Sequence, residues 1–378
     1  MSKFDTIRPF YDVEVNEALC KVADHPMMKA MMSFTFPELE DKVWIEQLKR
    51  THSIRDFQCN FIYKAVMKVL ENSSEGLTTS GFEKLDKHTP YLFISNHRDI
   101  ILDTSLLNTC LFENGLVMTA SAIGDNLVKK TFLHVLSKLN RNFLVQRGLS
   151  PRELLQSSKL MSEYIGQLIL RENRSVWIAQ REGRTKDGND ATHPGVLKML
   201  SMASDEENLM EYFKKLKIVP VSISYEYDPT DALKMPQLMA EANDEVYIKD
   251  KNEDFMTLLS GIMGQKKRIH IHVGDVLDAE IDAITAEFDN SNKQIQALAQ
   301  AIDDSILNSY KLWPTNYIAY DLLNNTTKYS HLYTEKEKSV FERRLEIRID
   351  ESNPVEMQGF LAMYANPVVN KSKYENAI

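Results

Sequence analysis

The chain has 378 residues, of which 43% are hydrophobic, so it can bury a substantial core. Its formal net charge of −9 at pH 7 argues against a nucleic-acid-binding protein, because phosphate contacts need a concentrated basic surface. Three widely separated cysteines indicate neither a disulfide framework nor a metal site, and they fit a reducing cytoplasm. No apolar run is long enough for a membrane-spanning helix or a signal sequence.

The predicted elements alternate between helices and strands over the middle of the chain. After a leading segment, residues 53–77 show helical spacing of apolar side chains. Strand-like runs follow, separated mostly by helical patterns, at residues 91–95, 116–120, 142–146, 175–179, 218–225 and 268–274. This alternation predicts an α/β fold with a mostly parallel sheet that helices cover on both faces.

From about residue 285 only helices are predicted. One has Thr334 as its N-cap with Glu337 three residues on, and the next begins at Asn353. These patterns divide the chain into a helical N-terminal arm, an α/β domain and a helical C-terminal region. The predicted limits are residues 1–50, 51–280 and 281–378.

The stretch YLFISNHRDIILD places polar side chains where a strand gives way to a helix. His97 is expected at the carboxyl edge of the sheet, where open α/β folds build their sites. A histidine there acts as a general base if a carboxylate orients its other ring nitrogen. Asp99 and Asp103 are four residues apart, so they share one helix face and either can reach the imidazole. The simpler interpretation is a turn with a capping Asp99 and a solvated Asp103.

Four blocks, taken in order, resemble the glycerolipid acyltransferases of the lysophosphatidic acid or glycerol-3-phosphate acyltransferase type, in a bacterial branch without transmembrane helices. The blocks are SNHRDIILD, NFLVQRG, IAQREGRTKDG and IVPVSISY, between residues 95 and 225. The resemblance implies an enzyme that transfers a fatty acyl group from acyl-CoA or acyl carrier protein to a hydroxyl of a lysolipid. The thioester is then a co-substrate, and neither a further cofactor nor a metal is expected.

The resemblance also implies roles for single residues. His97 takes the proton of the acceptor hydroxyl, and a carboxylate orients the imidazole. The family leaves four residues between this histidine and its aspartate, whereas His97 and Asp103 are separated by five. We favour Asp103 over Asp99, because Asp99 can cap the helix and one extra residue in the turn restores the family's placement.

Basic residues in the second and third blocks suit an anionic head group. Arg147 and Arg184 offer planar, bidentate recognition of a phosphate. Glu182 fixes these arginines or binds the acceptor hydroxyl, and Gly183 lets the backbone turn closely between them. Two further substrate-binding candidates are Arg98 and Lys198. The third block departs from the family by having Gln180 and Arg181 where phenylalanine and proline are usual.

A lysolipid acceptor implies peripheral contact with a membrane, at the inner face of the cell membrane. Two aromatic or methionine-rich stretches, 25–38 and 310–323, suit an interface, and the first also suits an acyl channel. Both fit a buried helix equally well. Two alternatives stay open: the acceptor is a lyso-aminolipid with a carboxylate head group, or the chain is a lipid-binding protein that has lost catalysis, as the altered aspartate spacing suggests.

Overall fold

The computed structural model describes residues 2–375 and contains one central sheet in that range. Its seven strands are β1 (Ser74–Ser80), β2 (Leu92–Ser95), β3 (Thr119–Gly124), β4 (Asn142–Val145), β5 (Ser175–Ala179), β6 (Ile218–Tyr225) and β7 (Lys267–Val273). Their order is β1-β7-β6-β2-β5-β3-β4. All neighbouring strands are parallel except β6 and β7. The predicted mostly parallel α/β fold is therefore confirmed.

Helices pack around this sheet. In the chain they precede its first strand, connect most of its strands and follow its last strand. Those before and between the strands are α1 (Asp12–Val22), α2 (Pro26–Thr35), α3 (Asp41–Lys49), α4 (Ile54–Phe57), α5 (Tyr63–Ser73), α6 (Leu102–Glu113), α7 (Thr131–Leu139), α8 (Pro151–Arg171), α9 (Pro194–Ser201), α10 (Leu209–Lys215), α11 (Asp231–Ala242) and α12 (Glu253–Met263). Those after β7 are α13 (Asp278–Glu287), α14 (Ser291–Ser309), α15 (Pro314–Leu323), α16 (Glu335–Arg348) and α17 (Pro354–Glu375). A π-helical segment, Gln58–Ile62, joins α4 to α5.

Strand β2 contributes to two apolar cores because both faces of the sheet are covered. Leu92 and Ile94 belong to one core, together with residues of α1–α3, α7–α10, α13 and α14. Phe93 points to the other face and packs with residues of α5 and α6. A strand that is buried on both faces has a continuous apolar sequence, which explains why the central strands could be recognised.

A third apolar cluster joins α11 to the C-terminal helices. Its buried members include Met235, Phe341 and Phe360. The predicted N-caps of two of these helices are confirmed: Thr334 exchanges hydrogen bonds with Glu337, and the Asn353 side chain accepts from backbone amides of the first turn of α17. The division of the chain at residues 50 and 280 stays a prediction.

Three details differ from the sequence-based prediction. The helix predicted from residues 53–77, with Gly76 beyond its end, stops at Ser73, and the polar segment Ser74–Ser80, where no strand was predicted, forms β1 and pairs with β7 at the sheet edge. This edge strand has no apolar alternation and so gives no strand signal. Strand β3 begins at Thr119, later than predicted, and β7 runs antiparallel to β6. Among residues 2–375, no helix combines the length and apolar character needed to cross a membrane.

Candidate active site

The carboxyl ends of β2 and β5 bring the first and third sequence blocks together. Ser95 and Ala179, the last residues of these parallel strands, lie side by side. Beyond them, Gln180 N donates to Ser95 O at 2.8 Å, and Thr185 N donates to His97 O at 2.9 Å. Main-chain hydrogen bonds therefore hold the histidine loop against the third block, at the sheet edge where the sequence placed both.

His97 is paired with Asp103 in this loop. Its Nδ1 atom lies 2.7 Å from Asp103 Oδ2, and the two side chains are 14% and 0% exposed. The imidazole packs edge-on to Trp177, with ring centroids 5.3 Å apart. Within the described residues, Nε2 makes no hydrogen bond. The ring is thus fixed through one nitrogen while the other is left for a substrate.

The Asp103 carboxylate is fixed by three further donors. Its Oδ2 atom also accepts from the backbone amides of Arg98 at 2.6 Å and Asp99 at 3.1 Å. Its Oδ1 atom accepts from the Tyr225 hydroxyl at 2.9 Å. Burial, followed by the charge of Asp103, raises the pKa of Tyr225 well above its usual value, so this hydroxyl stays protonated and donates.

Asp99 caps α6 instead of contacting the imidazole. Its Oδ1 atom accepts from the backbone amides of Ile101 at 2.9 Å and Leu102 at 2.8 Å. Burial and then the charge of Asp103 raise the pKa of Asp99. A Cβ on Gly261 of α12 would clash with Asp99 Oδ2, so this helix approaches the loop closely. The favoured contact between His97 and Asp103 is therefore present, whereas the catalytic roles stay predictions.

Arg98 forms a buried ion pair and is not placed to bind a substrate. It is 6% exposed, and its Nη1 and Nη2 atoms donate to Asp190 Oδ1 and Oδ2 at 3.0 and 2.5 Å. The Thr185 hydroxyl donates to the same carboxylate at 2.8 Å. Lys234, itself paired with Asp228, donates to the Arg98 carbonyl at 3.4 Å. The substrate role expected for Arg98 is replaced by a structural one, because its guanidinium is already satisfied.

Of the other basic candidates, Arg147 and Arg184 lie at the carboxyl edge of the sheet, whereas Lys198 does not. Arg147 forms an ion pair with Glu182, whose side chain is 77% exposed. Arg184 Nη1 donates to Thr230 Oγ1 at 3.4 Å. The residue between Glu182 and Arg184 is Gly183, whose φ of +71° gives the close turn that was expected there. Lys198 is exposed on α9, and no contact within residues 2–375 joins it to this group.

Lys186 joins the basic group and was missed in the sequence. Its Nζ atom donates to the Arg184 carbonyl at 2.9 Å. Burial, followed by the positive charges of Arg184, Lys234, Lys249 and Arg181, lowers the pKa of Lys186 to about 8. The only signal in the sequence was its place in the charged third block. Tyr225 was also missed, although it ends the fourth block, on a strand that is the direct neighbour of β2.

An apolar cavity of about 490 Å³ opens beside the histidine loop. Its walls include Ile100, Ile101 and Leu102, a few residues after His97. The opposite walls come from α2, α5, α7 and α12, and include Met27, Met31, Phe34, Val66, Leu133, Leu259 and Met263. The volume is within the range of roughly 300–1,000 Å³ that is usual for small-molecule sites.

The two stretches considered for membrane contact are largely internal. In 25–38, Met28 and Met32 are fully buried in the core, while Met27, Met31 and Phe34 line the apolar cavity. In 310–323, Trp313 is 4% exposed at the start of α15. Of the possibilities considered, the first stretch fits a channel wall and the second fits a buried helix junction.

Comparison with known proteins gives a family match and similarity to solved structures. Residues 76–224 match the family model described as Acyltransferase, and this segment contains the first three sequence blocks and the fourth up to Ser224. The crystal structure of the 1-acyl-sn-glycerophosphate (LPA) acyltransferase PlsC from Thermotoga maritima is similar over 78% of this chain and 95% of that chain, with 12% identity and a TM-score of 0.35. A comparison with curated sequences gave no match.

Proposed function

We propose that this chain, in which residues 76–224 form a domain of the acyltransferase family, is an O-acyltransferase of glycerophospholipid synthesis. It moves a fatty acyl group from acyl-CoA or acyl carrier protein to a hydroxyl of a precursor such as lysophosphatidic acid. The observation that carries the proposal is the buried His97–Asp103 pair, in a loop that continues into the wall of the apolar cavity at Ile100 and Ile101 and that a backbone bond from Thr185 holds against the basic third block.

The chemistry follows from the geometry of the pair. His97 Nε2 takes the proton of the acceptor hydroxyl as its oxygen attacks the thioester carbonyl carbon. The tetrahedral intermediate collapses with cleavage of the carbon–sulfur bond, and the imidazolium returns the proton to the leaving thiolate. Asp103 holds the imidazole in the tautomer with the proton on Nδ1 and stabilises the imidazolium. No side-chain nucleophile is needed, because the acceptor supplies the attacking oxygen.

The apolar cavity suits the acyl chain of a substrate. Its walls near Ile100 and Ile101 are close to His97 in the chain, and its other walls are flexible methionines or aromatic rings. Methionine adapts its shape to a flexible ligand at little cost. Burial of methylene groups there stabilises the complex by about 0.8 kcal/mol each, so the cavity can hold a substrate whose reacting end reaches the imidazole.

The basic group suits the anionic part of the acceptor. Arg184 and Lys186 lie on the loop that the backbone bond from Thr185 holds against His97. Lys186 is partly buried among other cations, so a bound phosphate relieves their mutual repulsion as well as accepting hydrogen bonds. Phosphate is preferred here to the carboxylate of a lyso-aminolipid, because it carries more charge and more acceptor oxygens.

The experiment that tests this function measures acyl transfer by the purified full chain. Radiolabelled acyl-CoA and acyl carrier protein are offered with lysophosphatidic acid, glycerol 3-phosphate and a lyso-aminolipid. We expect lysophosphatidic acid to be acylated with the highest kcat/KM. Its KM should rise above about pH 8, because the Lys186 ammonium, whose pKa is about 8, then loses its proton. Lys186→Met should raise KM about tenfold or more at pH 7 and abolish that pH dependence.

A matched control is Lys198→Met, since Lys198 is exposed on α9 and lies outside the basic group. Its acceptor KM should equal that of the unaltered chain at every pH. If Lys186→Met changes the KM of the thioester and not of the acceptor, the basic group binds the donor's phosphates. If the lyso-aminolipid is the best acceptor, the alternative substrate class replaces the phospholipid precursor.

We also propose that the chain works at the cytoplasmic face of a membrane, through a surface around α12. Five large apolar side chains are exposed there: Val246 (88%), Ile248 (83%), Met256 (52%), Leu259 (36%) and Met263 (65%). Leu259 and Met263 also line the apolar cavity, so the exposed surface is continuous with it. The mouth of an acyl site on an apolar surface allows a lipid to enter directly from the bilayer.

The charged residues next to α12 indicate how this surface binds a membrane. Residues 241–254 contain six acidic side chains and two lysines. Attraction to anionic lipid is therefore weak, and burial of the apolar side chains provides the affinity. This differs from a polybasic membrane anchor, which high salt releases.

We expect the full chain to sediment with phosphatidylcholine vesicles to a similar extent at low and high salt. Met263→Asp combined with Ile248→Asp should reduce the bound fraction several-fold, because each change places a charge in the interface. The matched control is Ile347→Asp on α16, whose side chain is 71% exposed. Equal loss in this control, or binding that requires anionic lipid and disappears in salt, would contradict the assignment of the surface to α12.

A further inference from the structure

A second, polar cleft of about 610 Å³ lies between the edge of the sheet and the C-terminal helices. Ser80 on β1 and His270 and His272 on β7 form one wall. The junction of α14 and α15, the segment before α16, and α17 form the others, with Tyr310, Lys311, Tyr317, Tyr329, Leu332, Val368 and Lys371 among the lining residues. The cleft shares no lining residue with the apolar cavity.

The charges of this cleft favour an anion. Lys311 and Lys371 contribute two positive charges, and none of the described residues that line it is an aspartate or a glutamate. This is unusual for a chain with a net charge of −9. Burial, followed by the charge of Lys311, lowers the pKa of His270 to about 4, and burial also lowers the pKa of His272, so both imidazoles are mainly neutral at pH 7.

Hydrogen bonds hold the histidine wall in place. His270 Nδ1 lies 2.8 Å from Thr78 Oγ1, and its Nε2 lies 3.1 Å from Ser80 Oγ. The same serine oxygen is 2.8 Å from His272 Nδ1. Ser80 has one proton to give, so the tautomers of the two rings are linked through it. Within the described residues, His272 Nε2 makes no hydrogen bond, so it is the imidazole nitrogen that this network leaves for a ligand.

Hydrogen bonds and ring packing also hold the side chains of the opposite wall in place. Lys371 Nζ donates to the carbonyls of Asn308 at 2.8 Å and Tyr310 at 3.0 Å, which fixes its ammonium at the end of α14. The rings of Tyr317 and Tyr329 pack against each other with centroids 5.2 Å apart. A ligand that fills this cleft therefore meets hydroxyl and imidazole groups on the sheet wall, and lysine ammonium groups and aromatic surface on the helical wall.

We propose that this cleft binds a small molecule that carries a phosphate group and acts as an effector of the enzyme. The phosphate lies between Lys311, Lys371 and the imidazole of His272, and the remainder of the molecule packs on the tyrosines. Phosphate is the anion that such a set of separated cationic and neutral donors satisfies best, because it has several acceptor oxygens. The binding step does not depend on acyl transfer.

Contacts from the cleft to the active site support the effector role. The ring of Tyr310 lines the cleft and lies 5.7 Å from the guanidinium carbon of Arg98, next to His97 in the chain. The backbone amide of Lys311 donates to Ser224 Oγ at 3.0 Å. The next residue on that strand is Tyr225, which holds Asp103. A ligand on Lys311 therefore acts on two groups that position the catalytic pair.

The test follows the imidazole NMR signals of His270 and His272 in the full chain during titration with inorganic phosphate and with ribose 5-phosphate. We expect saturable shifts and a rise in the pKa of His270, since a nearby anion stabilises the imidazolium. Lys311→Ala should weaken binding about tenfold or more. Lys159→Ala, on exposed α8 surface, and Lys186→Met, in the acceptor site, should leave it unchanged. Vesicles that contain phosphatidic acid should not reproduce the shifts, which separates a soluble ligand from a lipid head group.

Two results would overturn the proposal. The site is absent if neither phosphate compound shifts the two histidines, or if Lys311→Ala binds as tightly as the unaltered chain. The effector role, which rests on the proposed acyl transfer, is wrong if ribose 5-phosphate saturates the cleft without changing kcat or the acceptor KM. Because binding is read from the histidines, failure of the site is distinguishable from failure of the enzymatic function.

Discussion

His97→Ala is expected to lower kcat for acyl transfer by a factor of about 10² to 10⁴, the usual effect of losing a general base. The thermal unfolding midpoint should change little, because Asp103 keeps three other hydrogen-bond donors after the imidazole is removed. Single-turnover transfer of a labelled acyl group measures the chemical step directly. Substrate KM values should stay within a few-fold of the unaltered chain, since the imidazole acts on the reacting hydroxyl.

The matched control is His331→Ala, which removes an exposed histidine between α15 and α16 and should leave both activity and stability unchanged. A folded His97→Ala protein with near-normal turnover would eliminate the general-base mechanism. In that case residues 76–224 still match the acyltransferase family model, but the chain becomes a candidate for the lipid-binding alternative.

Asp103→Asn is expected to have an effect of similar or larger size on kcat. The amide removes the charged partner of His97 and can stabilise the wrong imidazole tautomer, which costs about 10⁴ in kcat in the corresponding serine-protease variant. Asp99→Asn should keep most of the activity. Asparagine caps a helix about as well as aspartate, because its side-chain oxygen can accept the same backbone hydrogen bonds from Ile101 and Leu102.

Folding must be separated from catalysis in this comparison, because the buried Asp103 carboxylate accepts hydrogen bonds with both oxygens. Asp103→Asn leaves one donor facing another, so its unfolding midpoint is measured together with its activity. Tyr225→Phe provides a milder change, since it deletes one donor to the carboxylate and keeps the contact with His97. We expect a smaller loss of kcat there. If Asp99→Asn is as damaging as Asp103→Asn, the two aspartates have exchanged roles.

The structure also accommodates the extra residue between His97 and Asp103. The turn absorbs it because Asp99 caps the helix from within the loop, and Asp103 then reaches back to three backbone or side-chain donors around the histidine. The spacing that suggested lost catalysis is therefore compatible with an intact pair. This favours the enzyme over the non-catalytic alternative, and the activity of the His97 and Asp103 variants decides between them.

The sequence by itself determined the fold class and the place of the site. Central strands buried on both faces have continuous apolar sequences, and parallel strands bring their carboxyl ends to one edge, so the loops that carry His97 and Arg184 were expected to lie near each other. The polar edge strand β1 escaped detection because its pairing, and not its composition, makes it a strand. Local pattern allowed either Asp99 or Asp103 to reach the imidazole, since both share one helix face, and the preference for Asp103 rested on the capping role of Asp99 and on the family resemblance.

Only the tertiary structure decided which of these groups meet. The Asp103 carboxylate is held beside His97 by donors from its own loop and from β6, far along the chain. The Arg98 guanidinium is paired with Asp190, 92 residues away, and is therefore not available to a substrate. The apolar cavity and the polar cleft are likewise assembled from segments that are distant in sequence. Burial, long-range pairing and the shape of an enclosed space are properties of the folded chain, and no local period in the sequence encodes them.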